Sequence, residues 1–190
     1  RQRQMCIRDS IYVDGAELQN FEVQEIRKAV VYVSQEDFLF TASVRENLKM
    51  GNEEISDEEM IEISRKMGVH QFVSKMERAY DSVLEERGKN LSKGQRQKLS
   101  LTRAILRHPK ILILDEATSN MDSISEREIL NYIKGIRDIT LILISHRINV
   151  IADSDCIYVL QKGNIVARGT DKQLKEQCKL YRQLYGEEEK

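Results

Sequence analysis

LSKGQ at residues 91–95 and ILILDEAT at residues 111–118 decide how this chain is read. In the first, Ser92 is placed to cap a helix that starts at Lys93, and Gly94 lets backbone come close to a phosphate. The N-terminus of such a helix carries a partial charge of roughly +0.5 and favours anions. The second stretch is a continuous apolar run, the pattern of a strand inside a parallel sheet, closed by Asp115 and Glu116. Carboxylates at that end of a strand fall where ligands bind in open α/β sheets. Asp115 suits Mg²⁺ held through water, and Glu116 suits orienting or deprotonating an attacking water. Taken alone, each has a plainer reading: a helix cap, or a turn cap beside a solvated charge. In succession they read as ATP recognition followed by Mg²⁺-dependent hydrolysis.

Working outward, two more polar residues end apolar runs in the same way. Gln35 follows the β-rich run at residues 29–33, and its neutral amide can ligate Mg²⁺ and position water. His146 follows the run at residues 139–144 and points to the same crevice, where it can contact a γ-phosphate. Capping patterns predict helices at residues 43–48 (Ser43 with Glu46) and 56–66 (Ser56 with Glu59, and Met60, Ile63 and Met67 on one face), then a shorter one at 69–76. A helix capped by Ser92 spans 93–107, with Leu99, Thr102, Arg103 and Leu106 at helical spacing, and is ended by His108-Pro109. Further helices are expected at 123–137, 147–152 and 170–184, the last with Leu174 and Leu184 inward, and a hairpin turns at residues 162–164. Apolar strands alternating with helices imply a mostly parallel sheet covered on both faces.

These motifs resemble the nucleotide-binding domain of ABC transporters from about residue 10 onward. VSQEDFLF with Gln35 is similar to the Q-loop, residues 91–95 to the signature, residues 111–116 to Walker B with its catalytic Glu116, residues 119–122 (ending in Asp122) to the D-loop, and His146 to the switch histidine. FTASVRENL at residues 40–48 and Glu86-Arg87-Gly88 resemble the exporter type. The resemblance implies a P-loop NTPase-like α/β fold, with flanking helices and a helical signature subdomain at about 41–107. It also implies ATP and Mg²⁺ as ligands. Glu116 and His146 would be catalytic. Gln35, Ser92, Gly94, Gln95 and Asp122 would contact nucleotide, and Gln35 and Asp115 would hold the metal. The implied partners are a second ABC ATPase domain, as homo- or heterodimer, and a transmembrane domain on the same native chain, which would hold this domain at the cytoplasmic face of the cell membrane.

The chain departs from the family pattern in places. Lys93 stands where glycine is commoner, and Asn120-Met121 replaces a small apolar pair. No G-x-x-x-x-G-K-[ST] loop occurs, so the chain is expected to be truncated after Walker A, to bind ATP weakly or not at all and be inactive by itself, and to expose apolar sheet surface. Residues 1–9, RQRQMCIRD, are expected to be a non-native segment, with the partial ATPase domain at 10–190.

Composition narrows the rest. Lys+Arg 30 against Asp+Glu 31 gives no reason to expect nucleic-acid binding. No apolar run approaches the ~20 residues of a membrane span. Cys6, Cys156 and Cys178 form no C-x-x-C pair, which suggests reduced thiols in a cytosolic setting, with Cys156 a small core residue. Two rival functions keep part of this reading: a soluble ABC-type ATPase acting on DNA or ribosomes, and a non-hydrolysing half that lends only its signature surface. FTASVRENL speaks against the first, and intact Glu116 and His146 against the second.

Overall fold

The computed structural model describes residues 10–35 and 38–188. It opens with a short antiparallel ribbon, β1 (Tyr12–Val13) and β2 (Ala16–Glu17), turned at Asp14-Gly15, where both residues take positive φ. Helix α1 (Val23–Ala29) feeds strand β3 (Val30–Val33). Three helices follow, α2 (Val44–Lys49), α3 (Asp57–Lys66) and α4 (His70–Val73), then the 14-residue α5 (Lys93–Leu106). Strand β4 (Ile111–Asp115), helix α6 (Ser123–Lys134) and strand β5 (Thr140–Ile144) complete the central layer. Helix α7 (Ile148–Ile151), the hairpin β6 (Ile157–Gln161) and β7 (Asn164–Gly169), and helices α8 (Asp171–Gln177) and α9 (Lys179–Glu188) close the chain.

The central sheet has the order β3-β4-β5 and is parallel throughout, with Val33 beside Leu114 and Asp115 beside Ile144. Parallel neighbours require crossovers, which α2–α5 supply between β3 and β4, and α6 between β4 and β5. One face is the core side: Val31, Val33, Leu112 and Leu114 are buried, and Leu141 and Leu143 pack against them. The other face is open. Tyr32 is 56% exposed, Ile142 43% and Ile144 48%. The expectation of a sheet covered on both faces is therefore corrected, whereas the expected exposure of apolar sheet surface is present.

Local chemistry explains the helix boundaries. Ser43 and Glu46 form a reciprocal capping box, and Ser56 accepts from the Glu59 N–H. Within FTASVRENL, the buried Asn47 side chain accepts from the Phe40 N–H at 2.9 Å and donates to the Phe40 carbonyl at 3.0 Å. That motif therefore clamps its own loop. Met60 and Ile63 on α3 and Met67 just past its end are buried together, as are Leu99, Thr102 and Leu106 on one face of α5. Helix α5 stops at Arg107, and His108 takes φ 50, the left-handed geometry of a helix stop, with its Nε2 3.2 Å from Glu59 Oε1.

Three further expectations change. The helix expected at 69–76 is one turn, His70–Val73. The closing helix breaks at Cys178, whose extended backbone separates α8 from α9. Cys156 is exposed, whereas Cys178 is buried in a small second core with Ile148, Ile157, Val159, Leu174 and Tyr181. Cys156 precedes the apolar strand β6 and follows the polar Asp153-Ser154-Asp155, and it stands exposed in that connection outside the strand. The reading of residues 1–9, Cys6 included, lies outside the described residues.

Candidate active site

The carboxyl edge of the sheet collects the strand-end residues. Glu116 follows β4 at φ 50, a conformation that costs an L-residue roughly 1–2 kcal/mol, and its N–H donates to the Ile144 carbonyl at 3.0 Å. This turn brings the side chain across to the end of β5. There His146 Nδ1 lies 2.9 Å from Glu116 Oε1. An ionised carboxylate only accepts, so Nδ1 carries the hydrogen and Nε2 is left to face a ligand. Glu116 and His146 line one cleft together with Ser119 and Arg147. Arg147 is ion-paired with Glu126, which is buried at 3% exposure on α6.

Asp115 sits one residue earlier. Its Oδ2 accepts from the Tyr32 hydroxyl at 2.7 Å, and that hydrogen bond holds the Tyr32 phenol above its usual pKa range. Gln35 lies two residues beyond the end of β3, on the same edge and exposed. Its segment is tied to α5, because Arg103 donates to the Phe38 carbonyl at 2.8 Å.

The second group of residues gathers at the start of α5. Ser92 and Gln95 form a reciprocal capping box: the Gln95 N–H donates to Ser92 Oγ at 3.2 Å, and the Ser92 N–H to Gln95 Oε1 at 2.9 Å. Both side chains are thereby committed to the helix start. Gly94 lies against the D-loop, and a Cβ there would stand 3.0 Å from the Asn120 carbonyl oxygen. That loop is held by Gln97, whose Oε1 accepts from the Asn120 N–H at 3.0 Å. Asp122 caps α6 by accepting from the Ser125 N–H at 2.9 Å, an interaction that lowers its carboxyl pKa. Ser92, Gly94, Gln95 and Asp122 share a cleft separate from that of Glu116 and His146, with residues 119–122 between the two.

Gly94→Ala tests this close approach. Alanine gains up to ~1 kcal/mol of helix propensity, but overpacking against a fixed carbonyl costs about 1–3 kcal/mol. A lower melting temperature is expected, and a higher one would mean that the D-loop yields freely.

The ABC transporter family model matches residues 2–119. The chain belongs to the ABC transporter family. It is 42% identical over 168 residues to the heterocyst differentiation ATP-binding protein HepA of Nostoc sp., covering 88% of this chain and 28% of that protein. It is 38% identical over 187 residues to the leptomycin B resistance protein pmd1 of Schizosaccharomyces pombe, covering 96% of this chain and 14% of that one. A solved bacterial Atm1-family ABC exporter with ATP bound superposes with a TM-score of 0.89 at 29% identity, over 94% of this chain and 32% of the exporter chain. The chain thus spans under a third of the length of these relatives. The fold is that of the ATP-binding domain of ABC exporters, and domains of this kind are ATPases.

Residues that sequence reasoning missed are the supports: Tyr32 on Asp115, Gln97 on the D-loop, and the Glu126–Arg147 pair beside His146. Tyr32 alternates outward in a short strand, and Gln97 lies one turn into α5. Neither carries a local pattern that would single it out.

Proposed function

We propose that this chain is the ATP-hydrolysing engine of an ABC exporter, working as one of two paired ATPase domains. The observation that carries the reading is the 2.9 Å contact between His146 and Glu116 at the carboxyl edge, with the signature cleft set apart on the far side of the D-loop. Two clefts on one domain suit a head-to-tail pair, in which each nucleotide meets the strand-end residues of one domain and the signature of the other. In this reading Ser92, Gly94 and Gln95 present the α5 N-terminus to the nucleotide carried by the partner, and Asp122 holds the D-loop between the sites. Residues 10–190 form part of one ATPase domain, with a helical subdomain at about 41–107.

Glu116 orients and deprotonates the attacking water, and His146 holds the Glu116 carboxylate through Nδ1 while Nε2 meets the γ-phosphate. Among the described residues no cluster of three or more His, Cys, Asp or Glu could cage a metal. Asp115 and Gln35 offer oxygen donors at a strand edge, which fits Mg²⁺, an ion that keeps several waters and takes few protein ligands. Mg²⁺ held there would neutralise charge developing on the phosphates.

The partners in this reading are a second ABC ATPase domain and a transmembrane domain. No described helix is long and apolar enough to cross a membrane. In this reading the transmembrane domain holds the chain at the cytoplasmic face of the membrane. The test is ATP hydrolysis by the assembled exporter reconstituted in vesicles. Hydrolysis that requires Mg²⁺ and falls at least about tenfold in Ser92→Arg, which fills the signature cleft, is the expected result. Turnover indifferent to Ser92→Arg would overturn the paired arrangement.

A further inference from the structure

We propose that Lys93 is a phosphate-contacting residue that sets the preference of the signature cleft for the triphosphate over the diphosphate. The inference rests on the reading that this cleft receives a nucleotide. Lys93 is the first residue of a 14-residue helix, where the helix dipole opposes a cation. Five other helices carry an acid in their first turn, Glu25 in α1, Glu46 in α2, Asp57 in α3, Glu126 in α6 and Asp171 in α8, whereas α9 also begins on a lysine, Lys179. Helix α5 has no acid in its first turn, and its capping box uses the neutral Gln95. What sets Lys93 apart from Lys179 is its place: it lines the cleft with Ser92, Gly94, Gln95 and Asp122, so its charge stands against the local field at the candidate site.

The surroundings say what compensates it. Lys93 is exposed and makes no ion pair or hydrogen bond with the described residues. Lys75 and Lys98 line the same cleft. Lys98 donates to Ser125 Oγ at 2.9 Å, and the one acidic lining residue, Asp122, is engaged by the Ser125 N–H. With the Ser92 and Gln95 side chains spent on the cap, Lys93 is the side chain at the helix start left to meet an anion. It adds a mobile charge to the fixed N–H groups of α5. That charge favours the ligand carrying the extra phosphate.

The experiment compares Lys93→Gln and Lys93→Arg in the assembled exporter. For K93Q the KM for ATP is expected to rise about five- to tenfold with kcat within about twofold, inhibition by ADP nearly unchanged, and a weaker dependence of KM on salt. K93R, which keeps the charge, stays within about twofold of the parent in each. K93Q should melt no earlier than the parent, because the cation opposed the dipole. An unchanged KM in K93Q overturns the proposal, and so does early melting, which would make the lysine structural. If Ser92→Arg abolishes turnover while K93Q is silent, only the role of Lys93 fails. If both are silent, the cleft itself has been misread.

Discussion

Glu116→Gln is expected to lower the kcat of the assembled exporter by roughly 10²–10⁴-fold while leaving ATP binding within a few-fold of the parent. Glutamine keeps the shape and can still receive a hydrogen bond from His146, but it cannot take a proton from water. The backbone at Glu116 is already committed, at φ 50 and with its N–H bonded to the Ile144 carbonyl, so the amide would occupy the same place. The loss therefore belongs to the transition state, and should appear in kcat and not in nucleotide affinity. Such a variant should also hold its paired, ATP-bound form longer. Single-turnover hydrolysis with equilibrium nucleotide binding separates the two effects. A kcat within about threefold of the parent would remove Glu116 from the role of base, and would revive the reading of a half that lends only its signature surface.

The second large effect is on stability. Arg147→Met is expected to destabilise the fold by about 3 kcal/mol, because it leaves the Glu126 carboxylate buried without its counter-ion. Glu126 is 3% exposed, and its other oxygen, Oε1, has no hydrogen-bond partner, so no second contact compensates. The arginine itself is partly solvated, with 23% of its side chain exposed, which sets the figure at the lower end of the range for broken buried pairs. For a chain of this size that corresponds to a fall of roughly 6–12 °C in Tm. The double variant Glu126→Leu with Arg147→Met should recover most of the loss, since replacing both partners removes the stranded charge. Thermal unfolding of the three variants is the check. A single Arg147→Met variant within ~1 kcal/mol of the parent would mean that the carboxylate finds water or another donor. Because Arg147 follows His146 directly, the single variant should also lower turnover, and the double variant would not restore it if the arginine positions the histidine.

Much of this was legible along the chain. The apolar run ending in Asp115 predicts a parallel strand, and β4 is that strand; Ser43, Ser56 and Ser92 predict helix starts, and each caps the helix that follows it. The departures share one cause. Cys156 precedes an apolar run yet is exposed, because it stands in the connection before β6, and it is the packing of Ile157 and Val159 into the second core, not the run itself, that decides what is buried. The break at Cys178 was missed since helix periodicity persists across it while the backbone turns to bury the thiol in the second core.

The sequence by itself determined the elements, their caps and the order of the chemical motifs, because periodicity and capping act over a span of about four residues. Only the tertiary structure decided which face of the sheet is covered, and that Tyr32 meets Asp115 across 83 positions and Arg147 meets Glu126 across 21. It alone also set the signature and Glu116 in separate clefts. Contacts at those separations depend on strand order and helix packing, which no local pattern of residues encodes.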